Sequence, residues 1–543
     1  MDEVRTTRLA RAFAGSPLRH RAFRDYFFAG LGVSLGYTMQ ATMSAWLMAT
    51  LTPSALMVAL VQTASTAPAL LFGLIAGALA DIVERRTVIL ATQTVLLVAT
   101  ALLGVTALTG HIGPGSLLLL TFVIGSGFML AIPAQQASVN ELVAREDLAR
   151  AVALGAVSFN MARAAGPALA GAIAALLHSG SAFLAAALCF VPILVVVRRW
   201  RPREASLPGV PETLLSGVAS GLRFARHSPA MMAIVIRNVT FCLCASSFWA
   251  LLPVIARDQL SLGAGGFGLL SATFGAGAIV GALWIPRRLK VQSLNSIVNW
   301  GVLGWIGATL VVAASHIPAV AVLGAAGVGI TWVSVLAGLS AGTQSTAPDW
   351  VRARAVSVTL VAVQASLALG AAFWGAVASQ AGTQVALVAS TVAMFVMHLS
   401  IRRFPVAMGT EADVTAGRQS SEFSMAFEPS PDDGPVLIQL EYRIAPEHEA
   451  EFVRVIHDVE PTRRRNGAVS WRVFRDIAHE GRFVERFVIA SWAEYVRLRQ
   501  RMTVTDREIQ ERVTALQHED EPVRISRLVG VRPEKDGDEG AAD

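Results

Sequence analysis

Residues 77–86 read GALADIVERR and separate two long apolar runs of the sequence. The residues before them read LFGLIA, and the run after them begins TVILATQTVLLVATALL. Asp81, Glu84, Arg85 and Arg86 therefore lie within six residues of a chain that is apolar on both sides. Such a cluster is typical of a short aqueous turn between two helices that cross a lipid bilayer.

The composition of the 543-residue chain also favours a membrane location. Hydrophobic residues make up 54% of it and charged residues 15%, whereas soluble domains carry about 25% charged residues. The mean hydropathy is +0.53. Up to Phe404, 26 Lys and Arg stand against 12 Asp and Glu; after it, 19 stand against 27. The net charge of +6 thus combines a basic apolar part with an acidic tail, and it does not indicate nucleic-acid binding.

Twelve apolar runs are each long enough to span a bilayer, which needs about 20 residues. They fall into two sets of six on either side of a polar stretch, a pattern that suggests the internal repeat of many transporters. Arginines collect in alternate loops, so the positive-inside rule places both termini and the middle loop in the cytoplasm. The runs lie near 25–50, 54–80, 87–109, 115–140, 150–177, 180–198, 230–256, 262–286, 294–314, 317–342, 353–379 and 383–401.

GALADIVERR resembles the loop between the second and third helices of the major facilitator superfamily. The corresponding stretch of the second half, GALWIPRRLK, is similar but lacks the acid. Residues 133–171 and 216–231 resemble the transmembrane secretion effector branch, which is related to enterobactin-type siderophore exporters. The resemblance implies an all-α membrane protein with the major facilitator fold: twelve helices in two six-helix halves. The residues that match the gating motif are Gly77, Asp81, Arg85 and Arg86.

Asp81 is the member of this cluster on which gating is expected to depend. The resemblance implies that the cluster latches the two halves on the cytoplasmic side when the protein opens outward. Topology alone explains Arg85 and Arg86 equally well. An aspartate contributes little to membrane topology, so the gating role is favoured over a topological role for Asp81.

Arg163 lies about halfway along the fifth run, where a charge is costly and marks a functional candidate. Two interpretations are open. Arg163 contacts an anionic group of the substrate, or it forms a structural pair with Glu141, Asp147 or a backbone carbonyl. The surrounding ARAAGPALAG resembles the antiporter motif of the fifth helix, in which a Gly-Pro kink shapes the interface between the halves. The matching residues are Gly166, Pro167 and Gly171.

Carboxylates are scarce in the apolar runs, so few are available to carry a driving proton. Amides within spans are candidates for lining a cavity, because an amide that faces lipid is left unsatisfied. We find no metal-ligand spacing and no nucleotide-binding loop, so we expect no metal, cofactor or ATP. Besides Arg163, the candidates for substrate contact or proton coupling are Glu141, Asp25, Asp258, Gln40, Gln136 and Asn160.

The tail beyond residue 435 has the pattern of a small soluble α+β domain. VLIQLEYRI alternates as a half-buried strand, and PEHEAEFVRVIHDVE follows as an amphipathic helix. The whole order is β-α-β-β-α-β, which predicts a ferredoxin-like sandwich. This part resembles the antibiotic-biosynthesis-monooxygenase superfamily, which implies dimerisation and, in some members, oxidation of aromatic substrates. Without a convergent acid–base set, a structural, regulatory or dimerising role is favoured over catalysis.

These patterns predict a secondary active exporter of a small amphipathic molecule, such as a siderophore, drug or secondary metabolite. The mechanism is alternating access, with proton antiport, in a bacterial inner membrane. The alternative is a membrane-tethered monooxygenase, which twelve spans with internal symmetry disfavour. The predicted segments are an N-terminal half (1–200), a cytoplasmic middle loop (201–229), a C-terminal half (230–404), a linker (405–434), the ferredoxin-like domain (435–531) and a disordered tail (532–543).

Overall fold

The computed structural model describes residues 16–200, 214–415, 425, 427, 429–518 and 521–531. Predictions for the first 15 residues, the first part of the middle loop (201–213), part of the linker and the tail 532–543 lie outside these residues. The chain divides into two compact units. The first comprises Met1–Pro211, Ile236–Ser340 and Thr359–Pro405, and the second comprises Glu212–Val235, Ala341–Val358 and Val406–Asp543. The second unit thus combines parts of five of the predicted segments, from the middle loop to the tail, and their boundaries stay a prediction.

Helices occupy all twelve predicted apolar runs. Ten segments of the described chain are long and apolar enough to cross a membrane. Helices Arg21–Leu51 and Leu148–Leu176 are similar in length to these ten segments, but they are not among them. The protein is therefore a multi-pass membrane protein, while the count of twelve spans stays a prediction. In chain order the helices are α1 (Arg21–Leu51), α2 (Ala55–Ile82), α3 (Arg85–Leu108), α4 (Pro114–Leu142), α5 (Leu148–Leu176), α6 (Ser179–Leu188), α7 (Val191–Arg199), α8 (Leu214–His227), α9 (Pro229–Val254), α10 (Ala264–Arg288), α11 (Leu294–Ala314), α12 (Pro318–Thr346), α13 (Asp349–Ala381) and α14 (Thr383–Ser400).

The turns between these helices are short and contain residues that stop a helix. Pro114 begins α4 directly after Gly113, and Gly382 joins α13 to α14 with φ of +93°. Only glycine adopts such a φ without strain. Tight turns keep the apolar helices side by side. Within each helix, the backbone polar groups are satisfied by the hydrogen bonds of that helix.

Helices α5 and α10, one from each half of the first unit, approach each other closely. A Cβ atom built on Gly171 would lie 2.8 Å from the Gly268 Cα atom and 2.8 Å from the Ala264 carbonyl oxygen. A Cβ atom on Gly275 would lie 2.9 Å from the Arg163 carbonyl oxygen. Neither position has room for a side chain, so backbone packs on backbone, as small residues permit in membranes.

The second unit contains an apolar cluster at the starts of two of the long spans. Phe224 of α8 and Met231 of α9 pack with Val351 and Ala355 of α13, and Trp350 lies against them. The rings of Phe224 and Trp350 meet edge to face, with centroids 6.1 Å apart. This cluster joins the amphipathic helix α8 to the starts of two apolar helices.

The predicted tail domain is present as a four-stranded antiparallel sheet in the order β2-β3-β1-β4. Alternate strand residues, such as Ile438 and Phe487, are buried with Phe452 and Leu498 from the helices. This arrangement agrees with the predicted ferredoxin-like order, although each predicted helix is divided in two. Dimerisation through this domain stays a prediction. The elements are α15 (Glu411–Val414), β1 (Val436–Arg443), α16 (Glu449–Ile456), α17 (Val459–Arg465), β2 (Ala468–Arg475), β3 (Arg482–Ile489), α18 (Trp492–Arg501), α19 (Val504–Thr514) and β4 (Arg524–Val529).

Candidate functional site

A central cavity of about 470 Å³ lies within the first unit and is lined by both halves. Most of its lining is apolar or aromatic, and polar groups are few. Gln62 and Gln364 are the amides that line it, one from each half. Among the described lining residues, Arg163 is the one charged side chain. A cavity of this size and lining suits an amphipathic small molecule.

The guanidinium of Arg163 lies among aromatic rings of the opposite half. Its Cζ atom is 5.7 Å from the ring centroid of Trp249, and 5.9 Å from those of Phe274 and Trp332. Each such contact stabilises a cation by about 0.5–2 kcal/mol. The rings attract the charge but offer no acceptor for its N–H groups. Within the described part of the chain, Arg163 has neither a hydrogen bond nor a salt bridge, so its donors remain available to a ligand.

The structural pair that we considered for Arg163 is not formed. Glu141 instead forms a salt bridge with Arg85. The Asp147 carboxylate accepts a hydrogen bond from Arg19 at 2.7 Å and lies 3.3 Å from a ring nitrogen of His20. Both carboxylates are therefore engaged elsewhere, and contact of Arg163 with a substrate stays a prediction.

The arginines of the gating motif are held within their own half in this structure. Arg85, at the start of α3, pairs with Glu141 at the end of α4. Arg86 donates to the backbone carbonyl of Arg198 at 2.8 Å. Gly77 and Asp81 lie in the last turns of α2, but their side chains are outside the described set. Within the described residues, Arg85 thus pairs with a carboxylate and Arg86 with a backbone carbonyl, and the gating role of the motif stays a prediction.

The antiporter-like kink lies where α5 meets its neighbours. Gly166 faces the Thr38 side chain of α1, and a Cβ atom there would also lie 3.3 Å from the Met39 backbone nitrogen. Pro167 lines the central cavity. Gly171 faces Gly268 across the halves. The three residues therefore lie at interfaces between helices, and their role in shaping the interface between the halves stays a prediction.

The other sequence candidates lie away from the central cavity. Asp25 pairs with Arg24 at 3.6 Å, and Asp258 accepts a hydrogen bond from Arg257 at 2.7 Å; about half of each carboxylate is exposed. Gln40 is buried and donates to Ser44 at 2.8 Å. Asn160 donates to the Ala156 carbonyl at 2.9 Å, and Gln136 is exposed. None of these side chains lines the cavity among the described residues, and their coupling roles stay predictions.

Two buried titratable residues of the second half did not figure among the sequence candidates. Arg237, near the start of α9, is 2% exposed, and His398, near the end of α14, is 3% exposed. An arginine inside the apolar run at 230–256 was the signal that could have identified the first. The histidine carries no comparable signal, because its burial depends on packing with other helices.

In the tail domain, buried polar groups satisfy one another. The Glu485 carboxylate accepts hydrogen bonds from Arg463 at 2.9 Å, Trp471 at 3.0 Å and Tyr442 at 3.0 Å. Burial and the Glu485 charge raise the pKa of Tyr442 well above its usual range, so the phenol stays a donor. A carboxylate enclosed by three donors has little capacity left for a substrate, which fits a structural network.

A second carboxylate connects the tail domain to helix α8 within the second unit. Glu494 of α18 accepts hydrogen bonds from Arg223 of α8 at 3.1 Å, Arg501 at 2.7 Å and Arg497 at 2.9 Å. Burial alone raises its pKa, but the three arginines outweigh burial and hold the pKa of Glu494 below its usual value. The Arg501 guanidinium also lies 4.3 Å from the ring centroid of Trp350. The tail domain is therefore packed on the ends of the second half.

Comparison with known proteins agrees with a transport function. Over 251 residues, the chain is 26% identical to the Staphyloferrin A transporter of Staphylococcus aureus (strain NCTC 8325 / PS 47), a match that covers 45% of this chain and 62% of that protein. The chain therefore spans less than two thirds of that relative. Over 386 residues it is 25% identical to the multidrug efflux pump Tap of Mycolicibacterium fortuitum, covering 68% of this chain and 92% of the pump.

Solved transporter structures share the fold. A bacterial homologue of the human lysosomal transporter Spinster, in an inward-facing and occupied conformation, superposes with a TM-score of 0.59 at 14% identity, covering 72% of this chain and 98% of that one. A transporter of the POT family with a bound thioalcohol-conjugated peptide gives a TM-score of 0.58 at 14% identity, with coverages of 71% and 96%. The family model described as transmembrane secretion effector matches residues 12–534. The chain therefore belongs to the transmembrane secretion effector family, a branch of the major facilitator transporters, and is a transporter rather than an enzyme.

Proposed function

We propose that the protein exports a small amphipathic molecule that carries an anionic group, such as a siderophore, drug or secondary metabolite. The observation that carries this proposal is Arg163, a charge with free donors in a cavity whose other described lining residues are uncharged. An anionic group satisfies these donors, and charged hydrogen bonds contribute about 1.5–3 kcal/mol each. The apolar and aromatic lining accommodates the rest of the molecule.

The direction of transport is inferred from the relatives. One relative is named for a siderophore and the other for the efflux of many drugs. The substrates in these names differ, so the two relatives support a broad class of substrates rather than one compound. The basic residues in alternate loops favour a bacterial inner membrane with both termini in the cytoplasm. Export then runs from the face that carries the termini to the opposite face.

Alternating access is supported by the contacts between the two halves. Arg257, at the end of the span that begins with α9, donates to the Thr52 carbonyl after α1 at 3.1 Å. Trp46 of α1 stacks on Phe267 of α10, with ring centroids 5.6 Å apart. These contacts join the two halves at the face opposite the start of α1. Rocking of the halves would break them and open that face.

Proton antiport is proposed as the energy source. Each of the carboxylates named for this role that the structure describes is paired with arginine: Asp25, Glu141 and Asp258. A proton could neutralise such a carboxylate only by displacing its arginine. Substrate binding at Arg163 and proton binding elsewhere would then be coupled through the movement of the halves.

The substrate class is tested with a matched pair of fluorescent probes, 1-pyrenesulfonate and the neutral 1-pyrenemethanol. Trp249 and Trp332 line the cavity, so energy transfer from tryptophan to pyrene reports binding to the purified protein. We expect tighter binding of the sulfonate. Arg163→Gln should weaken it by roughly 10- to 100-fold, the equivalent of about 1.5–3 kcal/mol, and should leave the alcohol unchanged.

Two further variants complete the test. Arg163→Lys keeps the charge but loses the planar guanidinium with its paired N–H donors, so this variant should recover part of the affinity for the sulfonate. Lys290→Gln removes an exposed charge outside the cavity and should leave the affinity unchanged. Equal binding of the sulfonate by the wild type and by Arg163→Gln would show that Arg163 does not recognise an anion.

A further inference from the structure

A second, much smaller cavity lies inside the second half and shares no lining residue with the central cavity. Its volume is about 10 Å³, close to the space that one water molecule requires. Arg237, Thr240 and His398 supply its polar groups, and its other walls are apolar, with Phe241 and Met394 among them. The lining residues come from α9, α11, α12 and α14 and from the turn after α14.

His398 is the unusual group in this cavity. Its side chain is 3% exposed, and neither ring nitrogen has a hydrogen-bond partner in the described part of the chain. A buried donor or acceptor left unpaired costs about 1–3 kcal/mol. A membrane protein that only needed packing here would be more stable with an aliphatic side chain. His398 lines a space of the size of one water, so a water molecule that enters it would lie next to the ring and could exchange a proton with it.

Arg237 gives the cavity a permanent positive charge. Its guanidinium donates to the Asn299 side chain at 2.6 Å, to the Asn295 side chain at 3.2 Å and to the Phe404 carbonyl at 3.1 Å. All three acceptors are neutral. Arg402 is the other charged residue that acts on the ring. Among the described residues of the packed helices, no carboxylate faces His398, so its charged neighbours are both cations.

A buried histidine without hydrogen-bond partners, next to a permanent positive charge, suits reversible proton binding. An imidazole in water has a pKa of about 6.5, so modest changes in its surroundings switch its charge near neutral pH. A proton on His398 would be a second positive charge beside Arg237. Because the two residues lie on different helices, α9 and α14, a shift between these helices alters the repulsion. One arrangement of the helices then favours proton uptake, and the other favours release to water.

We propose that His398 binds and releases the proton that drives export, with Arg237 as the neighbouring charge that promotes its release. The lone pair of one ring nitrogen accepts the proton from water on one side, and the same proton returns to water on the other. This inference rests on the proposed proton antiport, and it places the coupling group in the second half, apart from Arg163. In this proposal His398 takes the coupling role for which the carboxylates Asp25, Glu141 and Asp258 were the sequence candidates.

The proposal is tested in proteoliposomes loaded with 1-pyrenesulfonate, by following dye efflux and internal pH together. In the wild type, dye efflux down its gradient should move protons inward. His398→Gln cannot be protonated, so proton movement should fall by roughly tenfold or more, while dye efflux continues. His316→Gln, in an exposed turn, is the matched control and should behave as the wild type.

A second pair of variants tests the proposal without changing the cavity. Arg402 and Arg403 are adjacent and exposed, but only Arg402 acts on His398. Arg402→Gln removes a repelling charge, so the midpoint of the pH profile of proton movement should shift to higher pH. Arg403→Gln should leave the midpoint unchanged.

The outcomes separate this proposal from the proposed function. Proton movement by His398→Gln at the wild-type rate, or identical pH profiles for the two arginine variants, would overturn the role of His398 and leave proton antiport intact. Dye efflux without proton movement in the wild type would overturn antiport itself, and the role of His398 with it.

Discussion

At the scale of single residues, the guanidinium of Arg163 is surrounded by aromatic rings, whereas most buried arginines are paired with a carboxylate. The three rings that surround it come from α9, α10 and α12. A carboxylate partner would cancel the charge before a substrate arrived. Aromatic faces stabilise the cation but leave its N–H groups free, so the charge remains usable in a low-dielectric cavity.

Asp81 provides the residue-scale prediction for gating. Asp81→Asn removes the charge and keeps the shape, so we expect it to abolish efflux while membrane insertion stays normal. The measurement is efflux of 1-pyrenesulfonate into everted vesicles, together with the amount of protein in the membrane. Glu84→Gln is the matched control, because Glu84 is an exposed acid of the same stretch. Efflux by Asp81→Asn at the wild-type rate would refute the gating role.

What the sequence could predict at this scale depends on whether a signal is local. A charge inside an apolar run is visible in the sequence, and it identified Arg163. The absence of a partner is not visible, because the pairing of Glu141 with Arg85 and of Asp147 with Arg19 depends on which helices are neighbours. His398 went unnoticed for the same reason, since an isolated histidine at the end of a span resembles an ordinary interfacial residue.

At the scale of elements, the backbone contact of α5 with α10 brings the two halves together beside the cavity residues Pro167 and Ser271. Gly171→Val should force the two helices apart, because the added Cβ atom would lie 2.8 Å from the Gly268 Cα atom. We expect the cavity to open at the face opposite the termini. A cysteine in place of the cavity residue Ser271, in a background without other cysteines, should then react faster with a membrane-impermeant maleimide added outside.

The matched control for this contact is Gly307→Val on α11. A Cβ atom on Gly307 has no neighbour within 4 Å, so the same substitution should leave the reactivity at position 271 unchanged. Equal labelling rates for the two valine variants would mean that the glycine contact does not hold this face closed.

The elements themselves were the most predictable part of the structure. Apolar runs and turn residues gave all twelve helical segments, and strict alternation gave β1. The break of the long tail helix into α18 and α19 was missed. It occurs where Thr503 caps a new helix through its bond with the Asp506 nitrogen at 3.3 Å. A continuous polar helical pattern hides such a cap, because threonine and aspartate also occur within helices.

At the scale of the whole molecule, the two faces of the bundle should lie on opposite sides of the membrane. Glu84 and His316 are exposed and lie in turns at opposite ends of the spans. In intact cells, an impermeant thiol reagent should label His316→Cys, whereas Glu84→Cys should react only after lysis. The reverse pattern would invert the proposed direction of transport.

The second unit could not be foreseen from the sequence. Alternation and composition identified its sheet domain, but no local pattern shows that Arg223, Trp350 and Glu494 belong together. The contact of Arg223 with Glu494 joins residues separated by 271 positions. Contacts of this range depend on complementary surfaces, and a single sequence does not display which surfaces meet.

This long separation has a consequence for biosynthesis. Arg223 leaves the ribosome 271 residues before Glu494, which at about 5–20 residues per second corresponds to roughly 15–55 seconds. During that interval the membrane helices can insert while α8 and Trp350 lack their final partners. The second unit is completed only when the last strand has been made. The tail domain is thus synthesised after the membrane helices. In a chain truncated before it, the apolar helices would still insert into the bilayer, but Arg223 and Trp350 would lack their contacts with the tail domain.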